Sequence, residues 1–570
     1  MPDRGAFRAI LPTLALVLLT GVACFWRLGG CGILDLDEGL YSAAAREMTM
    51  TGDIIVPRVN GAPFFEKPPL AYWTAAAGIR LLGRTEAAAR LPSALATAAT
   101  AWLLALWGRK RLGARAGLLA GAFYLTSPLV LGPARMLTMD AALCLWIAVA
   151  MVAAYEAMDR ARGAWLWAAV SGAACGLGVL AKGLPGVVFP VATAVLWCGL
   201  VERRLSAAVR RLRPMLGPAA VAAFLLVAVP WHVLAFRASG ELFWGEYIVR
   251  QHLGRFRGGD TSHLAPFWFY APVFLAGLFP WSVFAPSAYW RAVRDAAGAA
   301  ERRLAVFLAL WASLVFVAFS ASGSKLVSYI LPMAAPTALL VGWWWSRALD
   351  APEAARRSAF VAALVAVCVS GALFGILALH GPILAAVERA THRPIALDAN
   401  GLAMIAYGER LFLVAAVGCV VAAGLTWAGS LRGALISLLG AMLIFVAMAV
   451  DGGLSMLNDG FTAPLHRMVS LAAHEGARGG SLLLNVGAPR RPSALYYLPD
   501  QWLTDGARAA HRLTEDGSEE AAKKYFSEHP GGVAVMPRKR AAQFVAHGLA
   551  WPVAQSSDWA VVRGTGRATP

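Results

Sequence analysis

The sequence predicts an α-helical polytopic membrane protein of about 13 transmembrane helices, with a small soluble α/β domain at its C-terminal end. Three observations carry that reading. The 570 residues are 59% hydrophobic and only 15% charged, whereas a soluble domain is about half apolar and a quarter charged. The apolar excess is gathered into runs of roughly twenty residues, the length that crosses a bilayer. The basic residues crowd into alternate loops between those runs.

The runs lie near 9–28, 86–107, 114–131, 137–157, 164–181, 183–200, 216–236, 268–290, 303–320, 327–346, 358–379, 410–428 and 432–450. The first follows Arg4 and Arg8 but shows no clear small-residue cleavage site, and more runs follow it. It therefore reads as a span and not as a signal peptide. Lys182 and Pro185 interrupt the stretch 164–200 and divide it into two spans. The seven cysteines sit almost entirely inside the runs and form no CxxC pair, so they read as small apolar groups with no disulfide framework or zinc site.

The formal net charge of +18 has a location. Arg109, Lys110, Arg111 and Arg115 share one loop; Arg203, Arg204, Arg210, Arg211 and Arg213 share another; Arg291, Arg294, Arg302 and Arg303 a third. Such loops mark the cytoplasmic side. Topology then accounts for most of the charge, and nucleic acid is not an expected partner. The N-terminus is placed inside. The segments 29–85, 132–136, 182–184, 237–267, 321–326, 380–409 and 451–570 fall on the outer side.

Residues 1–450 form the transmembrane domain and 451–570 the soluble one. In the latter the charge rises and the apolar runs shorten. Strands are expected at 481–486, 532–536 and 559–563, and helices at 456–474 and 519–529. The loop 29–85 is too long for a turn. It should hold a short interfacial helix over 38–51, stopped by Gly52, and a second over 68–82 opened by Pro68-Pro69.

Every candidate chemical group lies on the outer side. Asp37 and Glu38 follow the first run directly, and Asp37 and Tyr41, four apart, share one face of a short helix. Asp140 sits about one turn into a span, where an ionisable group usually faces a polar cavity or a partner. Asp37, Glu38 and Asp140 are the expected catalytic carboxylates. Lys67, Lys182 and Lys325 meet at the same membrane face, with Tyr329 close behind the last. Snorkelling explains any one of these lysines. Three together beside carboxylates suggest a phosphate pocket. The third outer loop adds Glu246, Arg250, His252, Arg255, Arg257 and His263. Its histidines, with Glu66, permit a divalent metal site for zinc or manganese.

The run Asp37-Glu38-Gly39-Leu40-Tyr41, then Gly52-Asp53, Asn60-Gly61, Phe65-Glu66-Lys67-Pro68-Pro69 and Tyr72-Trp73, resembles the first periplasmic loop of bacterial 4-amino-4-deoxy-L-arabinose transferases of lipid A. Those enzymes belong with the protein O-mannosyltransferases among the GT-C membrane glycosyltransferases. Ala181-Lys182-Gly183, Arg255-Phe256, Ala265-Pro266-Phe267-Trp268-Phe269-Tyr270 and Gly323-Ser324-Lys325-Leu326 also look like that family. The resemblance covers about 9–346. It departs at Gly39-Leu40, where the aminoarabinose enzymes often carry Thr-Arg, and in the divergent 451–570 domain.

The resemblance implies a periplasmic cavity and an undecaprenyl-phosphate sugar as co-substrate. It implies lipid A or a related periplasmic acceptor, among the membrane lipids of the bacterial inner membrane. Asp37 matches the reaction centre and Asp140 a second cavity carboxylate. Glu66 and His252 match ligands of a bound metal (zinc, or manganese or magnesium). Lys67, Arg255, Lys325 and Tyr329 match residues around the donor phosphate or lipid; Tyr41 and Lys182 join them as substrate-binding residues. Three rivals stand beside this reading. A protein O-mannosyltransferase-like enzyme differs in its acceptor. A lipid or small-molecule transporter needs ionisable groups near mid-bilayer, whereas these gather at one face. A noncatalytic scaffold would use the first loop only as an interfacial anchor.

Overall fold

The computed structural model describes residues 4–565, except 161, 203, 255–263, 295, 297, 392–398, 480, 485–490, 504–512 and 515–517. Among the described residues, each apolar run coincides with a helix or a bent helix pair. Nine are single helices long and apolar enough to cross a membrane. Two are bent pairs: Ala114–Leu125 with Pro128–Ala134 at 67°, and Phe267–Gly277 with Trp281–Arg294 at 108°. Ile10–Phe25 and Pro185–Val201 are shorter apolar helices. Proline explains both bends. Ser127 is extended before Pro128, and Pro280 cannot donate to the turn before it.

The break at Lys182 is real. Helix Ala164–Lys182 ends on Gly183 at φ 83°, and Pro185 opens the next helix. The two helices cross closely at glycines: a Cβ added to Gly186 would lie 2.2 Å from the Gly178 carbonyl carbon. No side chain fits there.

The first loop folds as the sequence indicates, with additions. Its helix covers Asp37–Thr51 and ends on Gly52 at φ 74°, whose N–H reaches the Met48 carbonyl. Asp53 Oδ1 then accepts from Ile55 N and Val56 N, both at 3.0 Å. Asn60 and Gly61, both at positive φ, turn a two-residue hairpin pairing Arg58–Val59 with Ala62–Pro63. The second helix, Leu70–Leu82, starts just after Pro68-Pro69.

The last membrane helix does not stop at 450. It continues unbroken from Leu431 to Ala477 and enters the C-terminal domain. A π-turn at Ala449–Gly453 presents Asp451 to Arg27, at 2.5 Å. The domain holds a mixed five-stranded sheet in the order 513–514, 482–484, 533–537, 559–564, 550–555. The first three strands run parallel and the last two pairings are antiparallel. Strands 513–514 and 550–555 were not expected from the sequence, since one is two residues long and the other carries Pro552 at an edge. Alternate residues serve two cores. Leu482, Leu484, Val533 and Val535 pack on helix Ala463–Gly479, while Leu483, Ala534 and Met536 pack on helices Glu519–Glu528 and Arg538–Ala546. The first core also takes in Ala43 of the loop helix, which ties the domain to the first loop.

Candidate active site

A cavity of about 830 Å³ opens beside the first loop. Asp37, Glu38 and Tyr41 reach it from the loop helix, and Glu66 and Lys67 from the segment before the second helix. Asp140, Lys182 and Tyr329 reach it from three different membrane segments. Residues far apart in sequence therefore meet on one wall.

Asp37 is the first residue of its helix and is exposed. Among the described residues its carboxylate has no hydrogen-bond or ion-pair partner. Four residues on, Tyr41 is 4% exposed. Burial, and next the nearby charge of Asp37, push its phenol well above the usual range, so it is a hydroxyl donor and not a phenolate.

Glu38 differs from the expectation of a catalytic acid. Its carboxylate meets Arg90 by two parallel bonds, Nε–Oε1 at 2.7 Å and Nη2–Oε2 at 2.8 Å. Leu34 N and Leu137 N donate to the same oxygens at 2.8 and 3.0 Å. Arg90 also donates to the carbonyls of Leu28, Cys31 and Gly32. Glu38 is thus bound on all sides and braces the loop. The sequence did carry a signal for this, because Arg90 is an ionisable group inside the expected span 86–107.

Asp140 lies in the first turn of helix Met139–Asp159 and forms an ion pair with Lys182. Ser328 Oγ donates to its other oxygen at 3.0 Å. The Lys182 ammonium sits 4.3 Å from the centre of the Tyr329 ring. These groups form a neutral stack with the cation on an aromatic face. Lys325 does not line the cavity. It is 6% exposed and donates to the Ser322 and Ala265 carbonyls, the latter at 3.0 Å. Its role is to hold the loop 322–326, which carries Leu326 to the wall.

The third loop supplies Arg250, one of its charged residues noted from the sequence, and Gln251, which the sequence did not single out. Arg250 donates to both carboxylate oxygens of Glu246 at 3.0–3.1 Å. Gln251 Oε1 is buried without a donor among the described residues. Arg255 and the ring of His252 lie outside the described residues. Among the described residues no three His, Cys, Asp or Glu side chains come close enough to share a metal ion. Glu66 is on the wall.

The C-terminal domain reaches this site through one short helix. Asp35, on the cavity wall, accepts from Ser493 N and Ser493 Oγ, each at 2.8 Å, with Arg491 at 3.9 Å. Burial pushes its carboxyl above the usual range, although the Ser493 bonds and Arg491 pull the other way. The folded state then favours the protonated form. That stabilising contribution is full below the ordinary aspartate value of about 4 and is lost as pH rises through the raised one. Asp35→Asn should flatten this part of the thermal-stability profile; an unchanged slope would count against it.

Gly39 sits in the same contact. A Cβ there would lie 2.6 Å from Ser493 N and 2.8 Å from Asp35 Oδ1. No side chain fits this packing, so the close approach of the C-terminal domain here requires glycine. Gly39→Ala should weaken the docking by about 1–3 kcal/mol. Hydrogen exchange of residues 491–503 tests it, and unchanged protection would refute it.

Known proteins resemble this chain in sequence and in fold. The family model for dolichyl-phosphate-mannose-protein mannosyltransferases matches residues 66–233. An undecaprenyl phosphate-alpha-4-amino-4-deoxy-L-arabinose arabinosyl transferase of Pseudomonas fluorescens is 36% identical over 325 residues, 55% of this chain and 53% of the relative. One from Pectobacterium carotovorum is 33% identical over 352 residues, 60% of each chain. ArnT from Cupriavidus metallidurans, solved with undecaprenyl phosphate, superposes over 100% of both chains with a TM-score of 0.77 at 23% identity. Over the matched stretches the chain is similar in sequence to aminoarabinose transferases and to the mannosyltransferase family model. It spans 53–60% of the length of these two sequence relatives. The ArnT alignment spans the whole chain, so the overall fold is shared with that ArnT structure.

Proposed function

We propose that this protein transfers a sugar, 4-amino-4-deoxy-L-arabinose, from undecaprenyl phosphate to lipid A or a related acceptor at the periplasmic face of the bacterial inner membrane. The observation that carries this reading is the single cavity in which Asp37, without a partner among the described residues, stands with Lys67 and the Asp140–Lys182 pair. The acceptor oxygen attacks the anomeric carbon as its bond to the phosphate oxygen breaks. The electron pair leaves with the polyprenyl phosphate. Lys67 stabilises the charge that grows on the leaving group, a large part of catalysis in such sites. Asp37 orients the acceptor, and takes its proton where the acceptor is a hydroxyl.

A retaining course would need a carboxylate nucleophile in addition to the group that handles the acceptor, and a second displacement. Glu38 is bound to Arg90 and Asp140 to Lys182, which leaves Asp37 as the unpaired member of that trio. This favours one displacement with inversion. A protein acceptor is the second reading, and the mannosyltransferase model matching residues 66–233 favours it. Mass spectrometry of lipid A and membrane glycoproteins, with and without the protein, separates the two. An added aminopentose on a lipid A phosphate is the expected result. A changed protein glycan with unchanged lipid A would overturn it in favour of the second reading.

A further inference from the structure

A second hollow, of about 800 Å³, lies at the opposite end of the membrane domain. Helices Pro185–Val201 and Ala299–Ala321 both border it, at Leu200–Val201 and at Ala299–Ser313. The other ends of the same two helices lead to Lys182 and Leu326 on the wall of the first cavity. The two hollows therefore face opposite membrane surfaces. The loops around the second are the arginine-rich ones, which puts it on the cytoplasmic side.

Its wall has two halves. One is basic. Arg211 donates to Glu202 at 2.6 Å and lies over the Trp197 ring at 5.4 Å. Arg303 reaches Asp159 at 3.3 Å, and among the described residues its buried Nε–H has no acceptor. Arg302 donates from Nε to the Val293 carbonyl at 3.1 Å and has no carboxylate partner among the described residues. Asp159 is also shared with Arg111 at 3.1 Å, so the three guanidinium groups outweigh the carboxylates beside them. The other half is aliphatic: Leu200, Val201, Val306 and Leu310. Planar guanidinium forks suit phosphate oxygens, and an alkyl wall suits a chain attached to them.

We propose that this hollow binds the phosphate headgroup of an anionic phospholipid of the cytoplasmic leaflet, with the three arginines on the phosphate and the aliphatic wall along the first acyl carbons. A free phosphate ion has the same anionic chemistry but no use for that wall. Basic pockets between membrane helices on this side hold anionic headgroups in general, each charge contributing a factor of about five.

The test uses the full chain, purified in detergent and stripped of lipid, titrated with phosphatidylglycerol or phosphatidylcholine and read by native mass spectrometry. Wild type should retain phosphatidylglycerol well above phosphatidylcholine, and Arg302→Gln should lose about fivefold of that retention. Leu310→Asn should also lower it, while excess inorganic phosphate should compete only weakly. Equal retention of the two lipids, or wild-type retention by Arg302→Gln, would overturn the proposal. So would full displacement by inorganic phosphate, which would mark a bare anion site. Should Arg302→Gln fail to stay monodisperse, Arg302→Lys keeps the charge without the fork; it should show reduced retention, and wild-type retention by it counts against the assignment.

Discussion

Asp37→Asn is expected to lower sugar transfer by about 10²- to 10⁴-fold, the usual contribution of a positioned acid or base. The substitution removes charge and basicity while keeping shape. Its cost to folding should be small. Asp37 is exposed and, among the described residues, unpaired, so only its interaction with the helix dipole is lost, about 0.3–1 kcal/mol. Activity and stability should therefore separate. The measurement is transfer from a synthetic polyprenyl-phosphate sugar, alongside thermal unfolding in detergent. If the acceptor is already a phosphate anion, the loss should fall at the lower end, because no proton must be taken. A wild-type rate in a folded Asp37→Asn protein would remove Asp37 from the reaction centre.

Arg90→Ala should show the opposite pattern, with a large loss of stability. It would strand the Glu38 carboxylate and three backbone carbonyls in a site where both side chains are at most 1% exposed. Breaking one partner of a buried pair costs about 3–5 kcal/mol, because the remaining charge is left uncompensated. The loop helix that carries Asp37 and Tyr41 should loosen with it. Activity would fall as a consequence of lost order and not of lost chemistry. Thermal unfolding is the first readout, and hydrogen exchange over residues 33–51 is the second. An unchanged melting temperature would show that this pair does not hold the loop.

Much of this cavity wall was legible because membrane chemistry leaves few explanations for a charged group. Asp37, Tyr41, Glu66, Lys67, Asp140, Lys182 and Tyr329 all stood out against apolar surroundings, and all line one cavity. Arg90 stands out equally, but its partner Glu38 lies 52 positions away and sequence alone does not pair them. Lys325 misled for the same reason in reverse. A lysine near a membrane face satisfies the phosphate pattern whether its ammonium points at a ligand or at the Ser322 and Ala265 carbonyls.

Hydropathy located the apolar helices and their order, and the loops in which Lys and Arg collect. These depend on transfer free energy residue by residue, which composition along the chain expresses directly. Pairing belongs to another class of property. That Glu38 pairs with Arg90, that Asp140 pairs with Lys182, and that Ser493 of a distant domain donates to Asp35 all follow from contacts between segments up to 458 positions apart. Coulomb attraction and hydrogen bonding act over a few ångströms, so their outcome exists only once the chain has folded.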